Sequence, residues 1–158
     1  MRAMLLAGAL IGGWWPSGAA AHEFRVYFRF DATAPLTDPS RTIAEASCMA
    51  RTAAAPEVVV IAHADATGPA DYNLALSERR GRAVADMLAA TGLDRSAIRV
   101  DARGETQPAV FAQDPRADQL NRRASLDVRG DLGARPLPPD CEAVMRDMHR
   151  RLGLPLGR

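Results

Sequence analysis

Lysine does not occur in this 158-residue chain; all twenty basic residues are arginine. With the heavy alanine load, that points to coding composition rather than to a chemical requirement. The arginines are interspersed with nineteen acidic residues, so there is no sustained basic stripe to recruit nucleic acid. A second long apolar run is also missing, and with it a membrane span in the body of the chain. Neither Ser77 nor Ser125 stands in a GxSxG-like elbow, and Cys48 has no histidine near it in sequence. Exported-hydrolase signatures, a wall-peptide hydrolase included, are therefore absent, and no enzyme is expected. His63 and Asp65 have no third partner at metal-site spacing, so neither metal nor cofactor is expected, and His63 is read as structural. Cysteine is reduced to Cys48 and Cys141.

What is present begins with a leader. Residues 1–21 carry Arg2, an apolar run from Met4 to Trp15, and small residues through Ala21. That is the pattern of a secretory signal peptide, with cleavage before His22. No cysteine stands at the cut, which argues against a lipid-anchored mature N-terminus. Cleavage removes Arg2 and leaves nineteen arginines against nineteen acids, a net charge near zero. A soluble protein of an exported compartment is expected, at 47% apolar residues large enough for one domain with its own core.

The spacing of apolar residues predicts the elements. Phe24–Asp31 alternates around Val26, Phe28 and Phe30, a half-buried strand. Asp38 and Pro39 open a helix running to about Ala54. Val58–Ala62 is a continuous apolar run, a buried strand. Asp71–Thr91 is a helix closed by Gly92. Ile98–Arg103 and Ala124–Arg129 are strands, separated by a loop region with room for one short helix. The order βαβαββ implies a two-layer α/β sandwich, a mixed sheet with helices on one face. This domain is assigned to residues 22–130. Residues 131–158 then form a Pro/Gly-rich linker and a C-terminal helix, Asp140–Leu152.

That last helix carries an apolar stripe of Cys141, Val144, Met145, Met148 and Leu152, which either packs on its own domain or docks on a partner. Cys48 lies roughly 150–180° from the core-facing stripe of the first helix, on its outward side beside Glu45 and Thr52. In an oxidising compartment a Cys48–Cys141 bridge would pin the tail to that side. The chain-entropy model gives such a long loop about 4–5 kcal/mol.

The most informative stretch is Val58–Arg82. It sets Asp65 at the mouth of the buried strand, where open α/β sheets bind ligands. On the following helix Arg79 points away from the apolar stripe of Leu74, Gly81, Val84, Ala85 and Leu88 and Arg82 toward solvent, while Arg80 sits at its border, about 80° from the centre. From there its guanidinium can reach over the sheet edge. Asp65 and Arg80 are either a socket for a guest bearing both ammonium and carboxylate, or an internal ion pair. Gly81, costing about 1 kcal/mol inside a helix, signals close packing beside Arg80. Asn121-Arg122-Arg123 is read as a cap with ion pairs rather than a basic patch.

FRVYFRFD, VVVIAHAD-ATG, YN-LALSERRGRAV, the Gly104-Glu105 turn with Pro108, and Asn121-Arg122-Arg123 together resemble the OmpA-like peptidoglycan-binding domain. The resemblance covers about Phe24–Gly130 in the family's order. It implies non-covalent binding of cell-wall peptidoglycan, in the periplasm, through the diaminopimelate of the stem peptide. It places that grip on Asp65 and Arg80, with Asp31, Thr67 and Asn73 as further candidate contacts around the crevice. Two positions depart from the family's usual residues: Ala62 replaces a glycine and Gly81 an alanine. The competing expectation is a periplasmic adaptor of the same fold whose tail stripe contacts another envelope protein.

Overall fold

The computed structural model describes residues 24–110 and 119–153. The signal segment and part of the loop between the last two strands lie outside the described residues. Four strands, β1 (Phe24–Tyr27), β2 (Glu57–His63), β3 (Ile98–Gly104) and β4 (Arg123–Arg129), form one sheet in the order β1-β4-β2-β3. β2 runs parallel to β3, while β4 is antiparallel to both β1 and β2, so the sheet is mixed as expected. Three helices accompany it: α1 (Ser40–Arg51), α2 (Ala70–Ala90) and α3 (Glu142–Leu152).

The core follows strand alternation. Val26, Phe28, Val58, Val60, Ala62, Ala124 and Leu126 point to the helix side and are buried, packing with Ile43 and Met49 of α1 and Val84 and Leu88 of α2. The alternate positions carry Glu57, Arg99, Asp101, Arg103, Asp127 and Arg129, joined in surface ion pairs. Solvated pairs of that kind stabilise little, but they keep one face of the sheet wettable.

Gly81 explains how α2 approaches so closely. A Cβ there would lie 2.5 Å from Val100 Cγ1 and 3.4 Å from Ala62 Cβ. The helix therefore beds onto β2 and β3 where only hydrogen fits, and the methyl of Ala62 occupies part of the space beneath it. At its other end α2 stops where Gly92 turns left-handed, φ 88°, its N–H donating to Ala89 O.

The first strand is shorter than its alternation suggests. After Phe28, which bridges to Pro35, the chain turns, and Asp31 adopts φ 48°. Phe30 is therefore not a half-buried strand residue but 57% exposed at the turn. On α2, Leu74 is exposed rather than part of the inward stripe; Asn73, Leu76 and Ser77 are buried instead. The Ser77 hydroxyl caps Leu74 O and accepts from Gly104 N–H at 3.0 Å, fastening α2 to the end of β3.

The tail belongs to the same core. α3 lies on α1, with Cys48 bonded to Cys141 (S–S 2.07 Å). Cys48 does face away from the sheet, yet it is buried because α3 covers it. Bidentate Arg51–Asp140, Arg151–Glu45 and Arg41–Asp147 pairs flank the bridge. Met145 and Met148 are buried, so the stripe that a partner would have contacted is already covered; Leu152, at its far end, remains half exposed. Among the described residues no helix is long and apolar enough to cross a membrane.

Candidate ligand-binding site

At the carboxyl end of β2 the chain leaves the sheet through Ala64-Asp65, and the loop to α2 curls back beneath the turn at Phe30-Asp31. Between them lies a cavity of about 290 Å³ walled by Phe30, Asp31, Asp65, Thr67, Tyr72 and Asn73. Four of the five residues singled out in the sequence thus meet in one pocket. The fifth, Arg80, does not line it.

Asp65 is held from two sides. Its Oδ1 accepts the Thr67 N–H at 3.2 Å, shaping the loop, and its Oδ2 accepts from an Arg122 terminal nitrogen at 2.7 Å. Both partners of this pair are largely buried, side chains 6% and 10% exposed. Arg122 gives its other terminal nitrogen to Gln119 Oε1 at 2.7 Å and lies over the Phe30 ring. Arg122 forms the ion pair expected of it, but Asp65 as its partner escaped the sequence reading although a signal existed. Arg122 shares strand parity with Ala124 and Leu126 and so points to the helix side, whereas Arg123 shares parity with Ser125 and Asp127. Asn121 acts as the expected cap, accepting Ala109 N–H at 2.7 Å and donating to Val110 O.

Arg80 corrects the expectation of a guanidinium reaching into the crevice. It is 0% exposed, with Nε on Ala32 O at 2.9 Å, one terminal nitrogen on His63 O and the other on Arg29 O, both at 3.0 Å. Its plane stacks against Phe28, 5.1 Å from the ring centroid. Nor does it form the internal pair with Asp65, whose direct partner is Arg122. Helical phase gave its direction correctly but not its depth: three backbone carbonyls converge at that point and draw the fork inward. Burial lowers its pKa to about 10, partly offset by the nearby Asp65 charge, so it stays cationic at neutral pH.

The remaining wall is polar but anchored. Asn73 is buried and donates to Glu105 Oε2 at 2.5 Å, while the exposed Tyr72 hydroxyl donates to Asp31. That bond raises the Tyr72 pKa. His63, at the end of β2, is buried with its Nδ1 lacking a hydrogen-bond partner, and its pKa is depressed to about 4 by desolvation and then by Arg123 and Arg103. It is neutral at physiological pH. Among the described residues no group of three His, Cys, Asp or Glu side chains is placed to hold a metal.

Residues 27–122, the segment that builds this pocket, match the OmpA family model. The chain belongs to the OmpA family. It is 32% identical over 120 residues to the peptidoglycan-associated lipoprotein of Pasteurella multocida, covering 76% of this chain and 80% of that one. The corresponding lipoprotein of Haemophilus influenzae is 31% identical over 120 residues, 76% of this chain and 78% of its own. Among solved structures, the peptidoglycan-associated lipoprotein of Burkholderia pseudomallei superposes with a TM-score of 0.62 at 24% identity, covering 66% of this chain and 89% of that one. The relatives are named for association with peptidoglycan rather than for catalysis. The fold of the Burkholderia structure is the mixed-sheet architecture described above.

Proposed function

We propose that the protein holds peptidoglycan non-covalently in the periplasm by seating the diaminopimelate end of a stem peptide in the Asp31–Asp65 pocket. The observation that carries this reading is Asp65 itself. It is a carboxylate fixed at a cavity mouth by a buried arginine, where the resemblance to the family places the grip on the wall. The ammonium of the guest is accepted by Asp65, with Asp31 across the opening. Its carboxylate sits in the positive field of Arg122 and Arg80, which lie behind the wall. Asp65 and Arg122 pair directly with each other, so a zwitterion adds a second set of opposite charges without leaving either partner uncompensated. Exposed ion pairs alone contribute under about 1 kcal/mol each, so the partial burial of Asp65 is what gives the contact its strength. The leader at residues 1–21 supports export, and the covered face of α3 weighs against the adaptor reading. Calorimetric titration with a soluble stem tripeptide ending in diaminopimelate tests the reading directly. Saturable binding is expected, and a peptide with alanine in that position should produce no heat. Equal binding of both peptides contradicts it.

A further inference from the structure

We infer that the outer edge of β3 pairs with the same edge of a second copy of this chain, antiparallel and two-fold, joining the two sheets into one. The sheet ends in two edges, β1 and β3. The β1 edge is only four residues long, and the chain folds back against it: Leu36 N–H donates to Tyr27 O at 2.7 Å and Phe28 bridges to Pro35. The β3 edge is seven residues long, and among the described residues no segment pairs with its outer side. An uncovered edge of that length is a template for another strand. Because β1 is blocked, pairing through β3 closes at two copies instead of growing into a fibre.

The residues on β3 select one register. Ile98-Arg99-Val100-Asp101-Ala102 is complementary in charge to its own reverse. With Val100 on the two-fold axis, Arg99 of each copy stands opposite Asp101 of the other, and Ile98 stands opposite Ala102. Opposite charges directly across an antiparallel pair attract, and like charges repel. Centring on Arg99 or on Asp101 sets each against its own copy. Centring on Ala102 needs Arg103, which the bulge opposite Ala62–His63 takes out of the ladder. Arg99 also reaches Glu57 at 3.6 Å and Asp101 accepts from Arg103 at 2.5 Å; all four side chains are partly exposed, so cross-strand pairs extend these contacts into one alternating row.

The helix above permits the approach. α2 beds over β2 and β3 together, since a Cβ on Gly81 would touch both Val100 and Ala62. Its counterpart on the second copy then lies about two strand spacings away, about 10 Å, an ordinary packing distance for helices. Arg80 marks the flank of α2 turned toward β1, bonding Ala32 O and Arg29 O. Roughly 140–180° round from it at about 100° per residue stand Ala85 and Ala89, small residues that leave room for a second helix.

Sedimentation equilibrium of the mature protein tests the inference, with Arg99→Asp and Asp101→Arg as variants. Each variant sets like charges opposite one another at both pairs of its own dimer, whereas an equimolar mixture brings opposite charges together at both. The native protein should reach twice the monomer mass by about 1 mM. Each variant alone should dimerise about tenfold or more weakly, and the mixture should recover to within about threefold of native. A native protein that stays monomeric throughout overturns the inference. So do variants that dimerise as tightly as native, which would place the contact elsewhere, and a mixture no tighter than its components, which would exclude this register.

Discussion

Arg80 shows how much of a fold one buried residue can hold together. Its three hydrogen bonds tie the turn after β1 to the end of β2, and that turn supplies Phe30 and Asp31 to the pocket. Truncation to alanine strands three carbonyls and opens a cavity beneath Phe28, a loss of about 3–5 kcal/mol. Arg80→Lys keeps the charge but not the fork, and should lose about half as much; urea midpoints order the two variants. His63 makes a second prediction at this scale. Its folded pKa of about 4 lies below its ordinary 6.5, so its contribution is complete above pH 6.5 and disappears as pH falls toward 4. Discounted for solvent near the sheet end, the effect is about 1–2 kcal/mol. Melting temperatures from pH 7.5 to 4.5 should fall more steeply for the native protein than for His63→Gln.

At the level of elements, most of the scaffold was legible in the sequence. The apolar run Val58–Ala62 behaves as a buried strand, Gly92 ends α2, and α1 begins where Asp38 accepts from Ser40 N–H at 3.0 Å. Periodicity failed where tertiary contacts override it. Phe30 continues the alternation of β1 but follows a turn fixed by Arg80, 50 positions further along, which no local pattern reports. Leu74 loses its inward place to Asn73 and Ser77, polar residues whose partners, Glu105 and Gly104, lie at the end of β3 and just beyond it. Four residues of the candidate pocket could be named because loops at strand ends gather there; placing Arg122 beside it required following strand parity across the sheet. The contact of α2 with β3 yields its own prediction. Gly81→Ala gains about 1 kcal/mol of helix propensity but drives a methyl into Val100, for a net destabilisation of about 1–2 kcal/mol. Val100→Ala in the same protein should recover part of that loss, measured by thermal unfolding.

For the whole molecule, the tail is the feature that the family segment 27–122 does not contain. α3 closes the outer side of α1, and the Cys48–Cys141 bridge fixes it there across 93 residues of sequence. Cys141→Ser should lower stability by about 4–5 kcal/mol in the chain-entropy limit, while leaving affinity for the stem peptide unchanged, since the bridge is remote from the pocket. A fall in affinity would show that the tail shapes the site. The central claim concerns the opposite end of the domain, where an acid braced by a buried cation waits at a cavity mouth. Co-sedimentation with purified diaminopimelate-type sacculi tests it most directly, comparing native protein with Asp65→Asn after both are shown to melt cooperatively. Native protein in the pellet and Asp65→Asn in the supernatant is the predicted result; equal sedimentation of the two would contradict the account.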